Sequence, residues 1–154
     1  MKKFFSVLLL SAVVVAAMAR GTKMPEYDIT GAGSGVEGTV LVKVFVYAKR
    51  ATDQDLKRAA VHGVVFRGCA GNNSGAIQPA MAPPTAESDN EAFCREFFSD
   101  DGQCQNFATV ISGSYERVKT SKGYKNGAII QVNKTALRQE LERAGVVRSL
   151  PSGF

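Results

Sequence analysis

Residues 39–49, TVLVKVFVYAK, alternate without a break, and the chain passes from them almost directly into a capped helix. Val40, Val42, Val44 and Val46 fall on one face, and Leu41, Lys43, Phe45 and Tyr47 on the other. A period of two with one wholly apolar face predicts a β-strand that buries its valine side and leaves a mixed side partly covered. Thr52 with Asp55 three residues on has the spacing of a capping box, in which each group satisfies a backbone N–H that the first helical turn leaves free. Leu56, Ala59, Ala60, Gly63, Val64, Phe66 and Arg67 then follow helical spacing as far as Gly68. Alanine and glycine on the packing side allow the helix backbone to approach a sheet closely.

A second unit of the same kind closes the chain. Residues 124–132 predict a strand with Ala128, Ile130 and Val132 on one face. Asn133 is placed to cap the helix that follows. Leu137, Leu141 and Ala144 mark its buried stripe, and Gly145 ends it, with Val146 and Val147 free to fold back over the last turn. Residues 115–122 alternate loosely before a turn or bulge at Gly123. Near the start, Tyr27 and Ile29 alternate with Asp28 and Thr30, ahead of Gly31, Gly33, Gly35 and Gly38. The GAGSG run resembles a phosphate-binding loop in composition only. It leads into a strand, whereas the dinucleotide pattern requires a helix there, so a hairpin connection or bulge accounts for it. Residues 103–114 fit a short helix and a strand equally. This order of elements predicts an α+β fold: one antiparallel or mixed sheet with helices packed on one face.

The first 19 residues read as a cleavable secretory signal peptide. Lys2 and Lys3 precede an apolar run over residues 4–17, and Ala17-Met18-Ala19 supplies the small-x-small cleavage pattern. The run is shorter than the roughly 18 apolar residues of a membrane span. The residues after the cleavage point are Arg20, Gly21 and Thr22, which offer no cysteine for lipidation. Residues 20–154 are then expected to form a single α+β domain, periplasmic or secreted, with no transmembrane segment after cleavage. Of 19 basic residues, the leader removes two, leaving 17 against 14 acidic ones. A balance of +3 gives no argument for nucleic acid as a partner.

Chemistry-bearing residues are few. Residues 69–90 form a long loop rich in Gly, Pro, Asn and Ser, a place where binding function is commonly carried. Ser88 and Glu91 read as a second capping box, starting a helix that carries Phe93, Cys94, Phe97 and Phe98. Asp100 and Asp101 lack the alternating oxygen ligands of a calcium loop. In an oxidising compartment one pair of the three cysteines should close. Cys94 with Cys104 is the simplest pair, and Cys69 with either of them remains open. There is no CxxC and one histidine, His62, so no metal or cofactor site and no catalytic residue is assigned. An enzyme reading would require His62 within hydrogen-bond reach of a thiol. Arg117, Lys119, Lys122 and Lys125 make the ribbon around Gly123 basic, and Tyr115, Arg117, Lys119 and Tyr124 form the candidate binding surface. The same charges would also protect a solvated sheet edge.

VLVKVFVYAKRATDQDLKRAAVHGVVF, followed by GYKNGAIIQVNKTALRQELERAG, resembles the small α/β domains of bacterial envelope assembly proteins. Among these are the amino-terminal domain of the flagellar outer-ring accessory protein and related lipoprotein domains. The shared pattern is a strand, an Ala-rich helix, and a closing strand that enters a Leu-rich helix. This chain departs from it in lacking a lipidated cysteine and in carrying the long cysteine-flanked insertion. The resemblance implies a non-enzymatic role in envelope assembly with an envelope protein as partner, and it brings no catalytic residues. The alternative is a ligand-binding module for glycan, lipid or peptide, with the 69–90 loop, Tyr115 and Tyr124 forming its site.

Overall fold

The structure is a computed structural model that describes residues 23–71 and 78–149. The expected leader over residues 1–19, the middle of the long loop and the tail from Leu150 lie outside the described residues. The fold is α+β. Strands β1 (Tyr27–Ser34), β2 (Thr39–Tyr47), β3 (Ala108–Val110), β4 (Glu116–Thr120) and β5 (Gly123–Asn133) form one sheet. The order is β1-β2-β5-β3, with β4 also paired to β5. All strand pairs are antiparallel. β2 pairs along one edge of β5, whose other edge serves two partners: its first half pairs with β4 and its second half with β3.

Register explains the core. Val40 lies opposite Val132, Val42 opposite Ile130 and Val44 opposite Ala128. The valine face of β2 and the apolar face of β5 are therefore the same side of the sheet, as their alternation predicts. All of these but the half-buried Val40 are fully buried. Helix α1 (Asp53–His62) begins with the Thr52 and Asp55 capping box. A π-helical turn, Gly63–Arg67, carries it on to Gly68, whose N–H bonds the Gly63 carbonyl at 2.8 Å. At Gly63 the helix comes so close to β1 that an added Cβ would lie 3.3 Å from the Tyr27 ring. Helix α4 (Lys134–Arg143) is capped by the Asn133 side chain and buries Leu137 and Leu141. It ends at Gly145, with Val146 N–H returning to the Leu141 carbonyl. The glycine-rich stretch before β2 contains a bulge between Gly31 and Gly33.

Three local expectations are corrected. Ser88 does not cap a helix. It lies inside the short α2 (Ala86–Asp89), with its hydroxyl donating to the Thr85 carbonyl, and α3 (Glu91–Phe97) starts after Asn90 without a side-chain cap. Burial of Ala82 and Ala86 against the core begins helical structure earlier than the Ser-x-x-Glu spacing suggests. The long loop is also partly built. Cys69 and Gln78 form a β-bridge, and Ala82 N–H bonds the Val65 carbonyl at 2.9 Å. The bridge expected between Cys94 and Cys104 is not formed: Cys69, Cys94 and Cys104 are all buried free thiols. Cys94 on α3 lines a hollow with His62 and Glu87, whereas Cys104 sits in a 3-10 turn (Gln103–Phe107) beside Arg58.

Candidate functional site

The β4–β5 hairpin closes through two residues, Ser121 and Lys122, between the paired Thr120 and Gly123. Gly123 has φ +137, a conformation L residues rarely adopt, so glycine is required where the second strand begins. Lys119 lies opposite Tyr124, and Arg117 opposite Asn126. The Arg117 guanidinium stacks 4.2 Å from the Tyr124 ring centroid and donates to the Lys49 carbonyl at 3.3 Å. Tyr115 donates its hydroxyl to Asp53 Oδ1 at 2.8 Å, on the first turn of α1. That bond raises the Tyr115 pKa above its ordinary range. The structure thus brings Tyr115, Arg117, Lys119 and Tyr124 together on the side of the hairpin turned toward the start of α1. Tyr115 remains 54% exposed despite its anchor.

The opposite side of the sheet carries a ladder of alternating charge and aromatic rings. Lys43 pairs with Glu116 at 2.7 Å. Tyr47 donates to Asp28 Oδ2 at 2.5 Å, and Lys125 lies 4.6 Å above the Phe45 ring. An open hollow of about 790 Å³ forms where β2 leaves the sheet beside the hairpin tip, with Tyr47, Lys49, Lys122, Tyr124 and Glu26 among its lining residues. Tyr47 and Lys49 were not singled out from the sequence. Their signal was available in the antiparallel pairing of β2 with β5, which sets Tyr47 against Lys125. Among the described residues of the 69–90 loop, none lines this hollow. The loop borders another hollow of about 910 Å³ against the end of α4. Buried Ala86, Val146 and Val147 contribute to it, together with Asp89, Arg138 and Arg148.

His62 occupies a third position of chemical interest. It is 6% exposed at the end of α1. Its Nδ1 lies 2.6 Å from the Tyr27 hydroxyl and its Nε2 lies 3.0 Å from Glu87 Oε1. In the neutral ring the tyrosine donates to Nδ1 and Nε2–H donates to the carboxylate. Phe66 and Phe98 pack against the imidazole, and Arg67 stacks on Tyr27. Burial lowers the His62 pKa, opposed by the Glu87 bond. Cys94 shares a hollow with His62, yet both ring nitrogens are already engaged by Tyr27 and Glu87, and neither bonds a thiol. Burial pushes the Cys94 and Cys104 thiols up to about 11 each, which opposes formation of a thiolate.

Asp100 is taken up by Arg58, a buried guanidinium whose Nη1 reaches it at 2.7 Å while Nη2 bonds Asp55 at 2.9 Å. The described residues contain no group of three or more His, Cys, Asp or Glu able to hold a metal ion. No helix among them is long and apolar enough to cross a membrane. Comparison with family models, with curated proteins and with solved structures finds no match to this chain.

Proposed function

We propose that this is an exported, non-enzymatic envelope domain that works through protein contacts, with the β4–β5 hairpin as its contact face. The observation that carries the reading is the hairpin itself. Tyr115, Val118 and Tyr124 are exposed on or beside the β4–β5 hairpin, whose tip before Lys125 extends past the end of β2 and whose arginine is held in place by a tyrosine ring. Tyrosine and arginine held in fixed conformations are the residues that most often carry contact energy between proteins, because little side-chain freedom is lost on docking. The expected leader and the resemblance to envelope assembly domains support the same reading and a periplasmic or secreted location. The test is a pair of substitutions, Arg117→Ala and Tyr124→Ala, in the full exported chain. Both should keep the melting behaviour of the parent and lose its association with other envelope proteins under mild crosslinking. Association unchanged in both variants would count against the hairpin.

A second reading, a ligand-binding module for glycan, lipid or peptide, rests on the hollow beside the 69–90 loop and its apolar Ala86, Val146 and Val147. Ligand sites are commonly pre-formed concavities, and here the apolar floor is ringed by polar groups that include Asp89, Arg138 and Arg148. Substituting Arg138 with alanine should weaken a ligand bound there and leave hairpin contacts intact.

A further inference from the structure

The hairpin face is specialised in charge. Three cations near it are already matched: Lys43 by Glu116, Lys125 by Asp28, and Arg117 by the Tyr124 ring and the Lys49 carbonyl. Lys49, Lys119 and Lys122 have no carboxylate partner among the described residues. Lys49 and Lys122 line the 790 Å³ hollow, and Lys119 pairs across the hairpin with Tyr124, one of its lining residues. Glu26 is the one acidic residue in that lining. Two tyrosine rings line the hollow as well, Tyr47 fixed by Asp28 and Tyr124 fixed beneath Arg117.

We propose that this hollow receives an acidic, extended segment of a partner polypeptide. Its carboxylates would meet Lys49, Lys119 and Lys122, and its backbone and apolar side chains would lie on Tyr47 and Tyr124. The inference rests on the reading of the hairpin as a protein contact face. Shape favours a peptide over an anionic lipid surface. The tip consists of Thr120, Ser121, Lys122 and Gly123, with no apolar side chain to enter a bilayer, and Lys49 and Lys122 line a concavity, whereas bilayer binding favours an apolar projection. Exposed unmatched lysines also steer an oppositely charged partner from a distance, which makes the association salt-sensitive.

The experiment places a photocrosslinking residue at Ser121 of the full exported chain, with Arg143 on the far helix as the control position. The chain is irradiated in native envelope extracts and the crosslinked segment is sequenced by mass spectrometry. The expected result is an adduct at Ser121 onto a segment rich in Asp and Glu. Its yield should fall roughly fivefold or more in Lys122→Glu with Lys49→Glu, and likewise at about 0.5 M salt. An adduct onto a segment without carboxylates, or one that survives charge reversal, overturns the acidic partner and leaves the contact face standing. No adduct at Ser121 above the Arg143 control overturns both. Co-flotation with phosphatidylglycerol vesicles that Lys122→Glu abolishes would reassign the hollow to anionic lipid and overturn the proposal.

Discussion

The Tyr27 hydroxyl and His62 Nδ1, 35 residues apart in the chain, meet at 2.6 Å and join edge strand β1 to the end of α1. Glu87 completes the junction from α2 at 3.0 Å. One neutral imidazole thus holds the strand, the helix and the built part of the long loop together. Protonating it would leave a cation among Tyr27, Phe66 and Phe98.

This junction makes stability depend on pH. Burial holds the His62 pKa below the ordinary 6.5, although Glu87 pulls the other way. The unfolded chain therefore takes up the proton more readily than the folded one. The contribution is full above pH 6.5 and declines as the pH falls below that value toward the folded-state pKa. Urea melts at about pH 7.5 and about pH 5.5 should show the native protein losing stability between them, more steeply than His62→Gln. Equal slopes for the two proteins would remove His62 from the account.

Much of the fold was legible because its signals are local. The alternation of β2, the Thr52 and Asn133 caps and the glycine stop at Gly145 each need only a few neighbouring residues, and each occurs as expected. Residues 103–114 were ambiguous between a short helix and a strand start, because Phe107, Val110 and Ile111 fit helical spacing but Gly113 stops it at once. The boundary at Ala108 is set by β5, whose second half offers a free edge for β3 to pair with. The Ser88 spacing misled because Ala82 and Ala86, buried by distant parts of the chain, start the helix earlier. Of the candidate site, the four hairpin residues were visible as a basic, tyrosine-bearing ribbon. The contributions of Tyr47 and Lys49 were not, because they depend on strand register. Nor was the junction at His62, whose partners lie 35 and 25 residues away.

The core has a direct test in α4. Leu141 is 1% exposed and Leu137 is fully buried, both facing inward from the Asn133-capped helix. Leu141→Ala should cost roughly 2–5 kcal/mol, the lost transfer energy plus the cavity left behind. Denaturant melts would measure it. A loss under about 1 kcal/mol would mean that the helix presents a different face to the sheet.

Gly68 and Gly113 separate backbone strain from crowding. Both have positive φ, +69 and +77. At Gly113 an added Cβ meets nothing within 4 Å, whereas at Gly68 it would lie 2.6 Å from the Gln78 carbonyl oxygen and 2.8 Å from the Ala80 nitrogen. Gly113→Ala should cost only the conformational term, on the order of 1–2 kcal/mol. Gly68→Ala should cost clearly more, because the segment crossing the π-helical turn must also move. Equal losses in paired thermal melts would indicate that this segment yields freely.

The cysteines test burial and pairing together. Cys94 and Cys104 have thiols pushed equally high, to about 11, so ionisation does not distinguish them. Access does. Cys104 is fully buried, with Gln105 and Arg58 beside it, whereas Cys94 is 7% exposed and borders the hollow that contains His62 and Glu87. An alkylating reagent needs both a thiolate and a path to it. Brief treatment of the folded protein near pH 8 should therefore label Cys94 ahead of Cys104, and both slowly. After unfolding without reductant, all three cysteines should react. Peptide mapping reads both results at once. Loss of the Cys94 and Cys104 labels together in unfolded protein, restored by reductant, would show that the chain closes a bridge between them. Labelling of Cys104 first would place the more open surface on the other side of α3.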